Sequence, residues 1–150
     1  MRSMRDWSVR HAHGLARLYV VFEHLIVAIE PLVRLIGHAR LERPVAAVER
    51  RIKGTLFDCR MCGACVLSST GMSCPRNCPK NVLNGPCGGV RADGACEVLP
   101  DMTCVWVKAV EGDRNMGGGT IALLPASDHR LSQRSSWLRI LRQRSKASAR

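Results

Sequence analysis

Cys59-Arg60-Met61-Cys62-Gly63-Ala64-Cys65 places three thiols two residues apart on what reads as a tight turn. Thiols spaced in this way can all point at one centre, as ferredoxin loops do when they hold three corners of an iron–sulfur cube. Cys74, Cys78, Cys87, Cys96 and Cys104 complete the chain's eight cysteines. Cys74-Pro75 and Cys78-Pro79 repeat the cysteine–proline pairing that recurs at ferredoxin ligands. Eight thiols suffice for two four-cysteine sites, two [4Fe-4S] clusters being the first expectation. Cys59, Cys62 and Cys65 are expected to serve one of them and to take their fourth ligand from the distal half of the chain.

Two other uses of so many cysteines compete with this one. Disulfides suit a small secreted domain, but Met1-Arg2-Ser3-Met4-Arg5-Asp6-Trp7 leads to no uninterrupted apolar signal core, so a reducing cytoplasm is expected. Structural zinc is the closer rival, because Cys-x-x-Cys pairs are also zinc-ribbon ligands. No histidine falls between Cys59 and Cys104, so zinc at one or both sites would be held by thiolates alone. The triple Cys-x-x-Cys-x-x-Cys favours the cube, since tetrahedral zinc usually takes its thiolates as separated pairs.

With 150 residues the chain has room for one ordinary domain, or a small domain with extensions, and not for a (β/α)8 barrel of about 250 residues. Apolar residues concentrate in the first 40 positions and are sparse among the cysteines. The cysteine block is therefore expected to fold on its metal rather than on a large core. Of the net charge of +11, little sits in that block: ten basic residues face five acidic ones in 1–53, five face four in 54–110, and eight face three in 111–150. Nucleic acid is a poor partner for such a chain, because its basic residues lie in the extensions with no aromatic platform beside them.

These shifts divide the chain into a helical extension (1–53), a cysteine-rich domain (54–110) and a linker with a basic tail (111–150). Leu15, Leu18, Tyr19, Phe22, Leu25, Ile26, Ile29, Leu32, Val33 and Ile36 recur at helical spacing, with Pro31 expected to kink or restart the helix and Gly37 to stop it. Glu23, His24, Glu30, Pro31 and Arg34 exclude a membrane span, since each ionisable group would cost about 2.5–3.5 kcal/mol at a bilayer centre. Val20, Val21, Val27 and Ala28 widen the apolar stripe beyond one face, so this helix is expected to pack on two sides. Pro44 reads as the start of a second helix ended by Gly54. The four histidines near these helices, His11, His13, His24 and His38, are expected to be structural or solvated.

Glycine, proline and asparagine fill the stretch from Cys65 to Trp106, which predicts successive turns, with short strands at Cys96–Leu99 and Cys104–Val107. The fold class expected is a small, metal-stabilised α+β lobe carrying N-terminal helices. Gly112 to Gly119 reads as a linker; Trp137 to Arg144 could form a short basic amphipathic turn of helix, but the serine- and arginine-rich end is expected to be a mostly disordered tail whose removal after Val110 leaves the lobe intact. No Walker, dinucleotide-binding or Ser-His-Asp pattern is present, so no catalytic residue is assigned.

Taken in order, Phe57-Asp58-Cys59 through Cys65, Cys74-Pro75, Cys78-Pro79-Lys80, Asn84-Gly85-Pro86-Cys87-Gly88-Gly89, Gly94-Ala95-Cys96-Glu97-Val98 and Cys104-Val105-Trp106 resemble the methylenetetrahydrofolate reductase C-terminal domain family. The likeness covers about residues 45–110 and every cysteine. It implies that Cys59, Cys62, Cys65, Cys74, Cys78, Cys87, Cys96 and Cys104 are metal ligands. It also implies a chain with no flavin of its own, serving as a non-catalytic electron-transfer or accessory subunit beside a flavin-containing reductase barrel and a further electron donor. A zinc-stabilised module that scaffolds the same partner without carrying electrons is the alternative.

Overall fold

The computed structural model describes residues 2–121, 124 and 128–148. Its helices are α1 (Arg2–Arg10), α2 (Ala12–Ala28), α3 (Glu30–Ile36), α4 (His38–Phe57), α5 (Val105–Asn115) and α6 (Ser136–Ser148), with 3₁₀ turns at Leu67–Ser69, Pro75–Asn77 and His129–Leu131. Among the described residues none of these helices is long and apolar enough to cross a membrane.

Helix breaks follow the backbone chemistry of a few residues. α2 stops at Ile29 and α3 restarts with Pro31 in its first turn, where a missing N–H leaves nothing unpaired. Gly37, at φ +96°, ends α3 and turns the chain into α4. That helix starts well before Pro44, which lies inside it, and it passes Gly54 to end at Asp58 in the left-handed region. The amides of Asp58 and Cys59 donate to the carbonyls of Gly54 and Lys53, which closes the helix end and delivers the chain into the cysteine loop.

Among the described residues the fold is helical rather than α+β, with 59% helix, 3% strand and no sheet. Two isolated bridges, Val90 with Cys96 and Ala95 with Thr103, are what stands at the first expected strand. At the second, Cys104 caps α5, because the buried residues Val105, Trp106, Ala109 and Gly112 fall on one helical face while Val107 points outward. Val-Trp-Val has strand-forming composition, but the burial pattern has a helical period.

Three small cores hold these helices together. Val33, Leu138 and Leu141 join α3 to α6, with Ile26, Val27, Leu41 and Val45 packed around them. Ala12, Phe57, Leu67 and Met72 join α2 and the end of α4 to the cysteine segment, with Cys65 and Cys74 against them. Cys96, Met102, Cys104, Val105, Trp106 and Ala109 form the third, beside Cys78. The basic segment expected to be disordered thus forms α6, whose Trp137, Leu138 and Leu141 are buried. Its charge hides a helical apolar stripe at 137, 138 and 141, which is enough to dock it.

Within this packing Gly112 is a component of α5 and not part of a linker. A Cβ there would lie 1.9 Å from the Gly71 carbonyl oxygen, and one on Gly71, itself at φ +56°, would lie 2.3 Å from that of Ala109. Both obstacles are backbone, so neither can swing aside. Gly112→Ala is expected to destabilise the fold by about 1–3 kcal/mol as an overpacking change. Thermal unfolding followed by circular dichroism checks this, at about 2–4 °C of Tm per kcal/mol for a chain of this size; an unchanged Tm would show that α5 and the 70–72 turn can separate freely.

Candidate metal centre

Three positive-φ residues, Asp58 (52°), Met61 (50°) and Gly63 (72°), fold the segment after α4 back on itself. Thiols at steps of three therefore face inward together: Cys59, Cys62 and Cys65 line one cavity of about 110 Å³, and Cys74 lines the same cavity from the turn before Pro75. The expected triple is thus brought together, while the fourth thiol beside it is the near Cys74 and not a distal one. Phe57, Met61, Leu67, Leu83 and Leu131 supply apolar wall, and Glu49, Lys53 and Ser136 a polar one.

The electrostatics of these four thiols are coupled. Burial pushes the Cys74 thiol up to about 12, an Arg76 backbone N–H works against it, and the thiols of Cys59, Cys65 and Cys62 add to it. Burial likewise raises Cys59, opposed by the Met61 amide, which donates to its Sγ at 3.4 Å. Four half-buried thiols lining one cavity would repel one another as thiolates, and a thiolate-bound metal would offset that repulsion. The donor set therefore suits a metal–thiolate group. Among the described residues no three or more His, Cys, Asp or Glu side chains converge on a point where a single metal ion would sit. All eight cysteines are free thiols.

Three of the four remaining cysteines gather in the third core. Cys96 and Cys104 are buried there and Cys78 packs against them. Cys87 is exposed, on a loop whose Gly89 carbonyl accepts from the Glu97 amide at 3.2 Å and so runs alongside Cys96. Two of the histidines have partners on their own helices: His11 stacks on Trp7 and His24 bonds the Val20 carbonyl one helical turn back.

The C-terminal segment closes the first cavity. Met61 accepts from the Gln133 amide at 2.8 Å, and the Leu131 backbone lies so close to Gly63 that a Cβ would meet its carbonyl oxygen at 2.1 Å. Ser136 and Arg139 add to the wall. Nothing in the spacing of the cysteines marks these residues, since contact across 70 positions leaves no local signal. Glu49 and Lys53 escape for another reason. A Glu–Lys pair four residues apart on a helix ordinarily reads as a solvated face, whereas here both are buried.

A small all-helical domain in which a thiol-lined cavity is closed by a terminal helix is the class of protein these features define. Residues 38–124 match the family model described as methylene-tetrahydrofolate reductase C terminal, and the chain belongs to that family. No curated protein and no solved structure matches it. The match begins at the first residue of α4 and takes in all eight cysteines and α5, leaving α1 to α3 and α6 outside it.

Proposed function

We propose that this chain is a non-catalytic, metal-holding partner of a flavin-containing methylenetetrahydrofolate reductase barrel, with Cys59, Cys62, Cys65 and Cys74 serving one [4Fe-4S] centre and Cys78, Cys87, Cys96 and Cys104 another. The observation that carries the reading is the meeting of four thiols on one cavity in a chain of this family. When bound, such a cluster supplies one-electron exchange with a flavin. The chain's own part is to hold and shield it. The cysteine loop presents its thiols, the Met61 amide donates to the Cys59 sulfur, and Leu67, Leu83 and Leu131 give the cavity an apolar wall.

A partner is supported by the surface. Leu18, Val21, Leu25, Ile29, Leu32 and Leu35 form an apolar row along α2 and α3, each more than half exposed, with Leu35 at 83%. A row of that length on a small chain is characteristic of an interaction surface. Free thiols at all eight positions accord with a reducing compartment such as the cytoplasm.

Anaerobic purification tests the reading. A brown protein with about eight iron atoms per chain, bleached by dithionite, is the expected result. A colourless protein with stoichiometric zinc would replace the electron relay with a structural scaffold. Co-expression with a reductase barrel is expected to give co-purification, and the complex should reduce its flavin from a one-electron donor faster than the barrel alone.

A further inference from the structure

Lys53 is 4% exposed and Glu49 2%, and the two lie together in the wall of the four-thiol cavity. Lys53 Nζ donates to Glu49 Oε1 at 2.8 Å and to Ser136 Oγ at 2.8 Å. Glu49 is held in turn by the hydroxyls of Ser135, at 2.7 Å, and Ser136. Aromatic faces complete the enclosure, Trp137 with its centroid 5.3 Å from the ammonium and Tyr19 at 5.8 Å.

An ion pair this deeply buried does little for stability, because desolvation offsets the attraction and an apolar pair of similar volume would often serve as well. Its position beside the thiols is therefore the informative feature. The Glu49 carboxylate 2.8 Å from Nζ and the two aromatic faces make this a site built for an ammonium. In an interior of low dielectric a fixed positive charge influences its neighbours far more than it would in water.

We propose that Lys53 is the resident counter-cation of the centre at Cys59, Cys62, Cys65 and Cys74, anchored by Glu49 and the α6 serines, and that the pair sets the reduction potential of that centre. The inference rests on the iron–sulfur reading given above. Reduction adds one electron and hence one negative charge, with no bond made or broken; Lys53 already carries its proton and takes up none. Its positive charge favours the reduced form and raises the potential, and the Glu49 carboxylate opposes it. Lys53 acts through the cysteines as a positioning residue and touches no substrate.

Reductive titration of the anaerobically reconstituted full chain, followed by electron paramagnetic resonance, tests this on wild type, Lys53→Met and Glu49→Gln. Lys53→Met is expected to retain iron and to move the midpoint of one centre to a more negative value, leaving the other centre unmoved. Glu49→Gln is expected to move the same centre the opposite way. Opposite signs would not arise from a merely structural role, which would loosen the site in both variants alike. Iron retained with unmoved midpoints, or shifts of the same sign, would overturn the proposal. If Lys53→Met does not fold, Glu49→Gln decides alone: a positive shift supports the assignment and an unmoved midpoint defeats it. A wild-type chain without iron would instead defeat the iron–sulfur reading, and this proposal with it.

Discussion

Cys74→Ser is expected to remove about half of the iron and to leave the other half in place. Serine keeps the volume but supplies a poor ligand for soft metal, so the centre at Cys59, Cys62, Cys65 and Cys74 loses a corner while the group at Cys78, Cys96 and Cys104 lies in a different core. Because binding of a structural metal is also folding free energy, the loop from Asp58 to Cys74 should loosen at the same time. Iron and sulfide per chain, with circular dichroism, give the reading. Cys104→Ser is the matched control and should remove the other half. Full iron content in Cys74→Ser, or total loss in both variants, would show that the eight thiols are not divided in this way.

A chain ended at Gly119 is expected to lose the first centre and much of its stability. The deletion removes Trp137, Leu138 and Leu141, which are 8%, 3% and 1% exposed. Each contributes about 1.5–3 kcal/mol by burial, a sum comparable with the whole stability of an ordinary domain. It also strips the Leu131 and Ser136 wall from the cavity and leaves Lys53 and Glu49 without their serine partners. Denaturant unfolding and iron content check the outcome together. Retention of both at the full-length level would show that α6 rests on the domain without supporting it.

That second expectation reverses the one drawn from composition, and the reversal shows where local pattern stops being informative. Pro31 and Gly37 break the N-terminal helix where their backbone chemistry requires, because each acts within its own turn. The triple Cys-x-x-Cys-x-x-Cys likewise falls on one cavity by loop geometry alone. Cys74 as its neighbour depends on how the Leu67–Ser69 and Pro75–Asn77 turns bring the chain back, which spacing does not encode. α6 is harder still: its arginines and serines resemble solvated tail, and its buried Leu138 and Leu141 gain meaning only against Ile26, Leu41 and Val45, as Trp137 does against Phe22. The family resemblance, carried by the ordered cysteine blocks, proved the most durable reading, and the family match extends beyond it to residues 38–124.

The closing of the cysteine loop by Leu131 and Gln133 also sets an order of events during synthesis. Translation proceeds from the N-terminus at about 5–20 residues per second. Cys59 to Cys74 therefore exist for about 3–12 s before Leu131 is made, at the rate just given. During that interval the cysteine loop is without the segment that later covers it. On the metal-holding reading proposed above, a carrier protein delivering metal would meet an open cup before Leu131 is made and a covered one afterwards, so the moment of loading would follow from the distance along the chain between the cup and its cover.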